Sequence, residues 1–152
     1  TESIFRNISF FIFKICIAAI NAHKYNTKTS FGNLNIKREW NWCDDQCELL
    51  IKFLKKKPQD FIISNGKCFS AKQMLKFAFE YFELNYKDFV LIDKNFLRPV
   101  EIKTKRSNFR ESLLKNKIIK KKFTYGKKMV NLIIKNYLIK KHNKIHIMKN
   151  YV

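Results

Sequence analysis

The apolar and polar positions alternate along this chain with the periods of helices and short strands. From Ile8 to Ile20 nearly every position is apolar. Phe10, Phe13, Ile17 and Ile20 form one stripe at helical spacing, and Phe11, Ile15, Ala18 and Ala19 widen it. That pattern predicts a helix capped by Asn7 or Ser9, running to about Asn21 and packed on several sides. Residues 22–30 are polar and turn-like. Phe31 to Trp42 then predicts a short strand through Leu34 and a loop. Asp44 or Asp45, followed by Glu48, has the spacing of a capping box. The helix that it starts would run to about Leu54 with Cys47, Leu50, Ile51 and Leu54 inward, and Lys55-Lys56-Lys57 and Pro58 would close it.

The second half is read in the same way. Asp60 to Gly66 predicts a strand ending in Asn-Gly, and Ser70 caps a helix over 71–82 with Met74, Phe77, Ala78 and Tyr81 on its inner face. Residues 89–92 read as a strand, and 97–102 as an extended segment held by Pro99. A short helix is expected near 108–114. A longer one is expected over 125–139, with Met129, Leu132, Ile133 and Tyr137 on one side and a frayed basic tail beyond. The alternation of helix and strand is that of an α/β fold.

Composition refines this picture. Hydrophobic residues are 46% of 152, which excludes a disordered chain, and only 3 Gly and 2 Pro favour helices over a turn-rich all-β fold. The apolar run 8–20 is thirteen residues with Lys14 at its centre. That is short of the roughly 20 needed to span a bilayer, so it reads as a buried helix rather than a membrane segment. Net charge is +20, a balance suited to nucleic acid or phosphate-bearing ligands. Most Phe residues, however, fall at core spacing, where an aromatic packs rather than stacks a base. A basic nucleic-acid-binding module is kept as the alternative reading.

Candidate chemistry is sparse. Cys43 and Cys47 are spaced to share a helix face, but no His adjoins them to complete a zinc set. His142 and His146 have the spacing of a zinc helix without its Glu and amid Lys, so no metal site is assigned. The cysteines are expected to be reduced, in a cytoplasmic protein. No glycine-rich phosphate loop occurs. Three cations stand apart from the Lys runs: Lys14 in the apolar helix, Arg38 in the Gly-Asn turn region between Gly32 and Trp40, and Arg98 before Pro99. Lys14 must either snorkel to water or meet an anion. Gly32 allows close backbone approach, and Asn33 tolerates a positive φ. With Glu101 near, this inventory suits a diphosphate and a ribose.

Several ordered segments resemble the GDP-mannose 4,6-dehydratase family of extended short-chain dehydrogenase/reductase (SDR) enzymes. Gly32 to Trp40 (GNLNIKREW) resembles G-N-L-D-x-x-R-D-W. Glu2-Ser3 and Arg6 resemble H-E-S-P-x-R, and Phe10 with Lys14-Ile15 resembles F-V-T-x-K-I. Residues 58–66 with Ser70, 89–93 and 96–102 resemble P-x-D-[FY]-V-[IV]-A-T-G, Y-V-V-I-D and F-[YF]-R-P-x-E-V. The similarity covers about residues 1–139.

The resemblance implies the C-terminal part of an NAD(P)-binding Rossmann-type extended SDR fold with its small α/β substrate domain. Residues 1–139 would be the substrate-binding portion and 140–152 a basic tail. The family converts GDP-mannose to GDP-4-keto-6-deoxymannose and water with bound NADP. By matched position Arg6 would touch the NADP adenosine phosphate, Lys14, Asn33, Arg38 and Arg98 would line the GDP site, and Glu101 would hold its ribose. The intact enzyme would be a homo-oligomer.

The chain departs from the pattern at several positions. Thr1 and Ile4 stand for His and Pro, Asn35 and Glu39 for Asp, Asn41 for Gly, and Gln46-Cys47 for Tyr-Val. Lys105 to Ser112 stands for L-x-G-D-x-x-K-A. The glycine-rich loop and the catalytic Thr/Ser-Glu and Tyr-x-x-x-Lys would lie upstream of Thr1. The chain is therefore expected to be a fragment or remnant that binds the GDP-sugar at most, holds no catalytic residue and is inactive alone.

Overall fold

A computed structural model describes residues 1–55, 57–58, 60, 62–97, 104–105 and 123–149, with backbone alone for 104–105 and 141–149. Helix α1 spans Phe11–Tyr25, and all its faces except the one carrying Lys14 are largely buried. It starts and ends a turn later than the pattern predicts. The Asn7 side chain accepts from the Ser9 N–H in a local turn instead of capping, and the N-cap Phe10 makes no side-chain cap. Asn26, at φ 52°, takes the left-handed cap position and closes the helix on the carbonyl of Ala22. Asn tolerates that conformation better than most residues, which is why the helix continues past Asn21.

Strand β1 (Thr29–Phe31) lies in what reads as a polar turn, and β2 (Lys37–Arg38) follows the Gly-Asn turn. The strand expected through Leu34 thus ends at Phe31. Helix α2 spans Cys43–Phe53 from an N-cap at Trp42 that makes no side-chain cap, so the expected capping box is not formed. No strand occurs at 62–68, because side chains replace the ladder there. Glu39 Oε1 accepts from the N–H groups of Asn65 (2.6 Å) and Gly66 (3.3 Å), and Asn65 Oδ1 accepts from Lys67 N–H.

Strand β3 (Phe69–Ser70) leads into α3 (Ala71–Glu80), which carries the expected start: Ser70 Oγ accepts from Gln73 N–H and Gln73 Oε1 from Ser70 N–H. That reciprocal pair is a full capping box. Strand β4 (Val90–Ile92) follows a 3₁₀ turn, and a second 3₁₀ turn spans Lys94–Phe96. Strand β5 is Thr104–Lys105. Helix α4 runs over Gly126–Lys149, so the tail expected to fray from residue 140 continues the helix instead. The expected extended segment at 97–102, beyond Leu97, and the short helix at 108–114 lie outside the described residues.

Two small sheets tie these elements together. β1 pairs parallel with β4, Phe31 opposite Ile92. β2 sits between β3, antiparallel, and β5, parallel. Parallel neighbours reached through helical crossovers make this an α/β fold, as the sequence order implies. The main core packs α1 against α3 and α4. Ile12, Ile15, Cys16 and Ala19 meet Met74, Leu75, Ala78 and Phe79 of α3 and Met129, Val130, Ile133 and Ile134 of α4, all essentially inaccessible. A smaller cluster joins Leu49 and Phe53 of α2 to Phe123, with Ile63 and Tyr125 beside it. Among the described residues no helix is long and apolar enough to cross a membrane.

Candidate functional site

Where α1, the turn after β1, β2 and the 3₁₀ turn at 94–96 converge, they leave a cleft of about 310 Å³. Lys14 enters from α1, Asn33 from the turn and Arg38 from β2, so three of the sequence-predicted residues line one cavity. Phe11, Phe31, Trp40 and Phe96 form most of the remaining wall, with Gly32 and Ile36 between them. A second cavity of about 470 Å³, beside Phe69, Phe123, Tyr125 and the first residues of α4, contains none of these residues.

Aromatic rings hold Lys14. The Lys14 ammonium lies 4.8 Å from the Phe31 ring centroid and 4.4 Å from that of Phe96. Two rings facing one ammonium hold it electrostatically without neutralising it, so its charge remains available to an anion. Phe11 stacks on Trp40 with centroids 6.2 Å apart and planes 12° from parallel, and meets Phe31 edge-on. Arg38 Nη1 donates to the carbonyl of Lys37 at 2.8 Å, which steadies the guanidinium beside its own strand.

The turn has its own logic. A Cβ on Gly32 would overlap the Phe96 carbonyl oxygen, so only glycine lets the 3₁₀ turn close over the cleft. Asn33 Oδ1 accepts from Asn35 N–H at 2.9 Å, an Asx turn that sets the bend. Asn33 itself is not in the left-handed region: among the described residues the non-glycine residues at positive φ are Asn26 and Glu83. The positive φ expected of Asn33 is therefore unnecessary, because its side chain makes the turn.

Behind the cleft, Glu39 points away between Arg38 and Trp40 and binds the Asn65–Gly66 backbone. Asn65 Nδ2 returns a bond to the Trp40 carbonyl at 2.7 Å. This lock fixes the strand that carries Arg38. Sequence reasoning missed it, and it missed the aromatic wall too. Phe11 lies three residues before Lys14 and Phe31 directly precedes Gly32, so nearness to the candidate cations was the available signal.

Arg6 is not among the residues lining the cleft. Its guanidinium stacks 3.6 Å over the Phe10 ring centroid, and its Nε lies 3.9 Å from Glu2 Oε2. Glu2 is buried, which pushes its carboxyl above the ordinary value. Neither Glu2 Oε2 nor Arg6 Nε finds a hydrogen-bond partner. Arg98 and Glu101 lie outside the described residues. Among the described residues no three His, Cys, Asp or Glu side chains gather as a metal site.

Three comparisons show what this chain is similar to. The family described as GDP-mannose 4,6 dehydratase matches residues 1–118. GDP-mannose 4,6 dehydratases 1 and 2 of Arabidopsis thaliana are 35% and 34% identical over 77 residues, half of this chain and 21% of each relative. The matched stretch thus spans about a fifth of the length of those curated relatives. A solved structure of a candidate epimerase from Burkholderia cenocepacia superposes with a TM-score of 0.62 at 18% identity, covering 88% of this chain and 44% of that one. That likeness shows a shared α/β fold. With the family's pattern spanning more than three quarters of the sequence and the cleft built from its matched segments, the chain belongs to the GDP-mannose 4,6-dehydratase family.

Proposed function

We propose that this chain supplies the nucleotide-diphosphate wall of a GDP-mannose 4,6-dehydratase and none of its reacting groups. The observation that carries the reading is the convergence of Lys14 and Arg38 on one aromatic-walled cleft. Two cations of different geometry suit a diphosphate: the ammonium acts as a compact charge, and the planar guanidinium can engage oxygens in pairs. Phe11 and Trp40 offer apolar faces for a base or sugar. Arg98 and Glu101, matched to the family pattern, would extend the contacts to the phosphates and ribose. Residues 1–139 form the substrate-binding portion in this reading, with 140–152 a basic extension.

NADP is the family's cofactor. Arg6 is matched to one of its phosphates and its side chain is 36% exposed, with its Nε turned inward beside Glu2. When bound, NADP would supply hydride transfer between the sugar C4 and C6. The chain's own residues bind and orient: Arg6 holds an anion at one edge, Lys14 and Arg38 hold the diphosphate, and the Glu39 lock keeps β2 in place. The protein works in the cytoplasm as part of a homo-oligomeric enzyme.

Calorimetric titration of the purified chain with GDP tests this. GDP is expected to bind, and Lys14→Ala and Arg38→Ala are each expected to weaken it about tenfold or more, from loss of a charge-assisted bond of roughly 1.5–3 kcal/mol. No turnover of GDP-mannose is expected. GDP affinity unchanged from the parent chain in both variants would sink the reading. The net charge of +20 favours a second one, a basic nucleic-acid-binding module. That module would bind oligonucleotides more tightly than GDP, with log K falling linearly against log salt.

A further inference from the structure

We propose that Cys43 and Cys47 form a two-thiolate chelate for a soft divalent ion of the zinc group, on α2 and outside the residues that line the cleft. The two Sγ atoms are 3.9 Å apart, one turn from each other on the same helix face. Metal–thiolate bonds of about 2.3 Å spanning that gap meet at an angle of about 116°, between tetrahedral and trigonal. An ion therefore fits between the sulfurs with the side chains where they stand. A disulfide does not: its S–S bond of about 2.05 Å would require the sulfurs to close by nearly half their separation.

The surroundings favour a cation although the whole chain is basic. Residues 43–48 contain Asp44, Asp45 and Glu48 and no Lys or Arg. Asp44 is exposed beside Cys43, while Asp45 is turned inward to the Thr124 N–H. Cys43 occupies the first position of α2, one turn before Cys47. Both thiols can be reached: Cys47 is exposed and Cys43 half-buried, in contrast to Cys16, which is sealed in the core.

Binding displaces the thiol protons. Metal and protons compete for the sulfurs, so binding weakens in acid. Two protein ligands leave the other positions to water, which makes the site open and exchangeable rather than a structural zinc centre. The pair is particular to this chain, since Val stands at the position of Cys47 in the family segment it resembles.

The probe is Cd²⁺, titrated into the whole chain with a non-thiol reductant and followed by sulfur-to-cadmium absorption. One ion per chain is expected. Cys43→Ser and Cys47→Ser should each weaken it about a hundredfold and remove about half of the absorption, while Cys68→Ser leaves both unchanged. Alkylation of the unsubstituted chain supplies a readout that needs no variant. Saturating Cd²⁺ should protect Cys43 and Cys47 together. Equal alkylation of both with and without Cd²⁺, or a double variant (C43S and C47S) that binds as tightly as the parent chain, would overturn the proposal.

Discussion

Helices α2 and α3 are nearly the same length, yet the face each buries is decided in opposite ways. In α3 the apolar stripe and the inner face share Met74 and Ala78, whereas Phe77, expected inward, is half-buried and Tyr81 is 37% exposed. Met74, Leu75, Ala78 and Phe79 are sealed against α1 and α4, and the Ser70–Gln73 box marks the start. In α2 the densest apolar stripe is left outside, with Leu50, Ile51 and Leu54 48%, 61% and 84% exposed. Its buried residues are Asp45, Leu49 and Phe53, spaced four apart. The difference lies in the partner. Leu49 and Phe53 pack on Phe123, and the Asp45 carboxylate accepts from the Thr124 N–H at 2.5 Å across 79 positions. A buried amide hydrogen bond to a charged oxygen and two modest contacts outweigh a wider stripe with nothing to face.

That comparison can be broken by substitution. The largest effect is expected in α3, where Met74→Ala opens a void in a fully packed site and should cost about 2–5 kcal/mol in denaturant unfolding. A loss below about 1 kcal/mol there would mean that the three-helix core is not the stability centre. In α2, Asp45→Ala strands the Thr124 N–H and should cost about 1–3 kcal/mol. If it is neutral, the orientation of α2 argued above is wrong. Ser70→Ala removes half of the capping box and should cost about 1 kcal/mol, read as a lowered thermal midpoint. Smallest of all, Leu54→Ser should change stability by less than about 0.5 kcal/mol, since an exposed side chain loses little. A large loss from Leu54→Ser would restore the stripe that the sequence alone suggests.

The cleft shows the same division between local and distant information. Lys14, Gly32, Asn33 and Arg38 were each legible because an odd residue in a regular pattern draws attention: a Lys in an apolar helix, a lone Gly at a turn, an Arg away from the Lys runs. Phe96 was legible only through the family pattern, since nothing in its own neighbourhood says that it lies over Lys14. Glu39 was legible only as a departure from the family pattern, not as a lock. Its role depends on the Asn65–Gly66 backbone, which local sequence reads as the end of a strand. The family's Asp at that position is one methylene shorter, so the longer Glu side chain makes this lock with geometry of its own.

By itself the sequence determined the period of each element, the cap of α3, the α/β order and, through its matched segments, the family. Those depend on neighbours within a few positions or on an ordered series of short motifs. The tertiary structure decided which face of α2 turns inward, which aromatics wall the cleft and what holds β2 in register. It also decided that 62–68 is a side-chain-bonded loop rather than a strand. Each of these depends on one distant group supplying a hydrogen bond or an apolar surface, and periodicity carries no record of a partner tens of residues away.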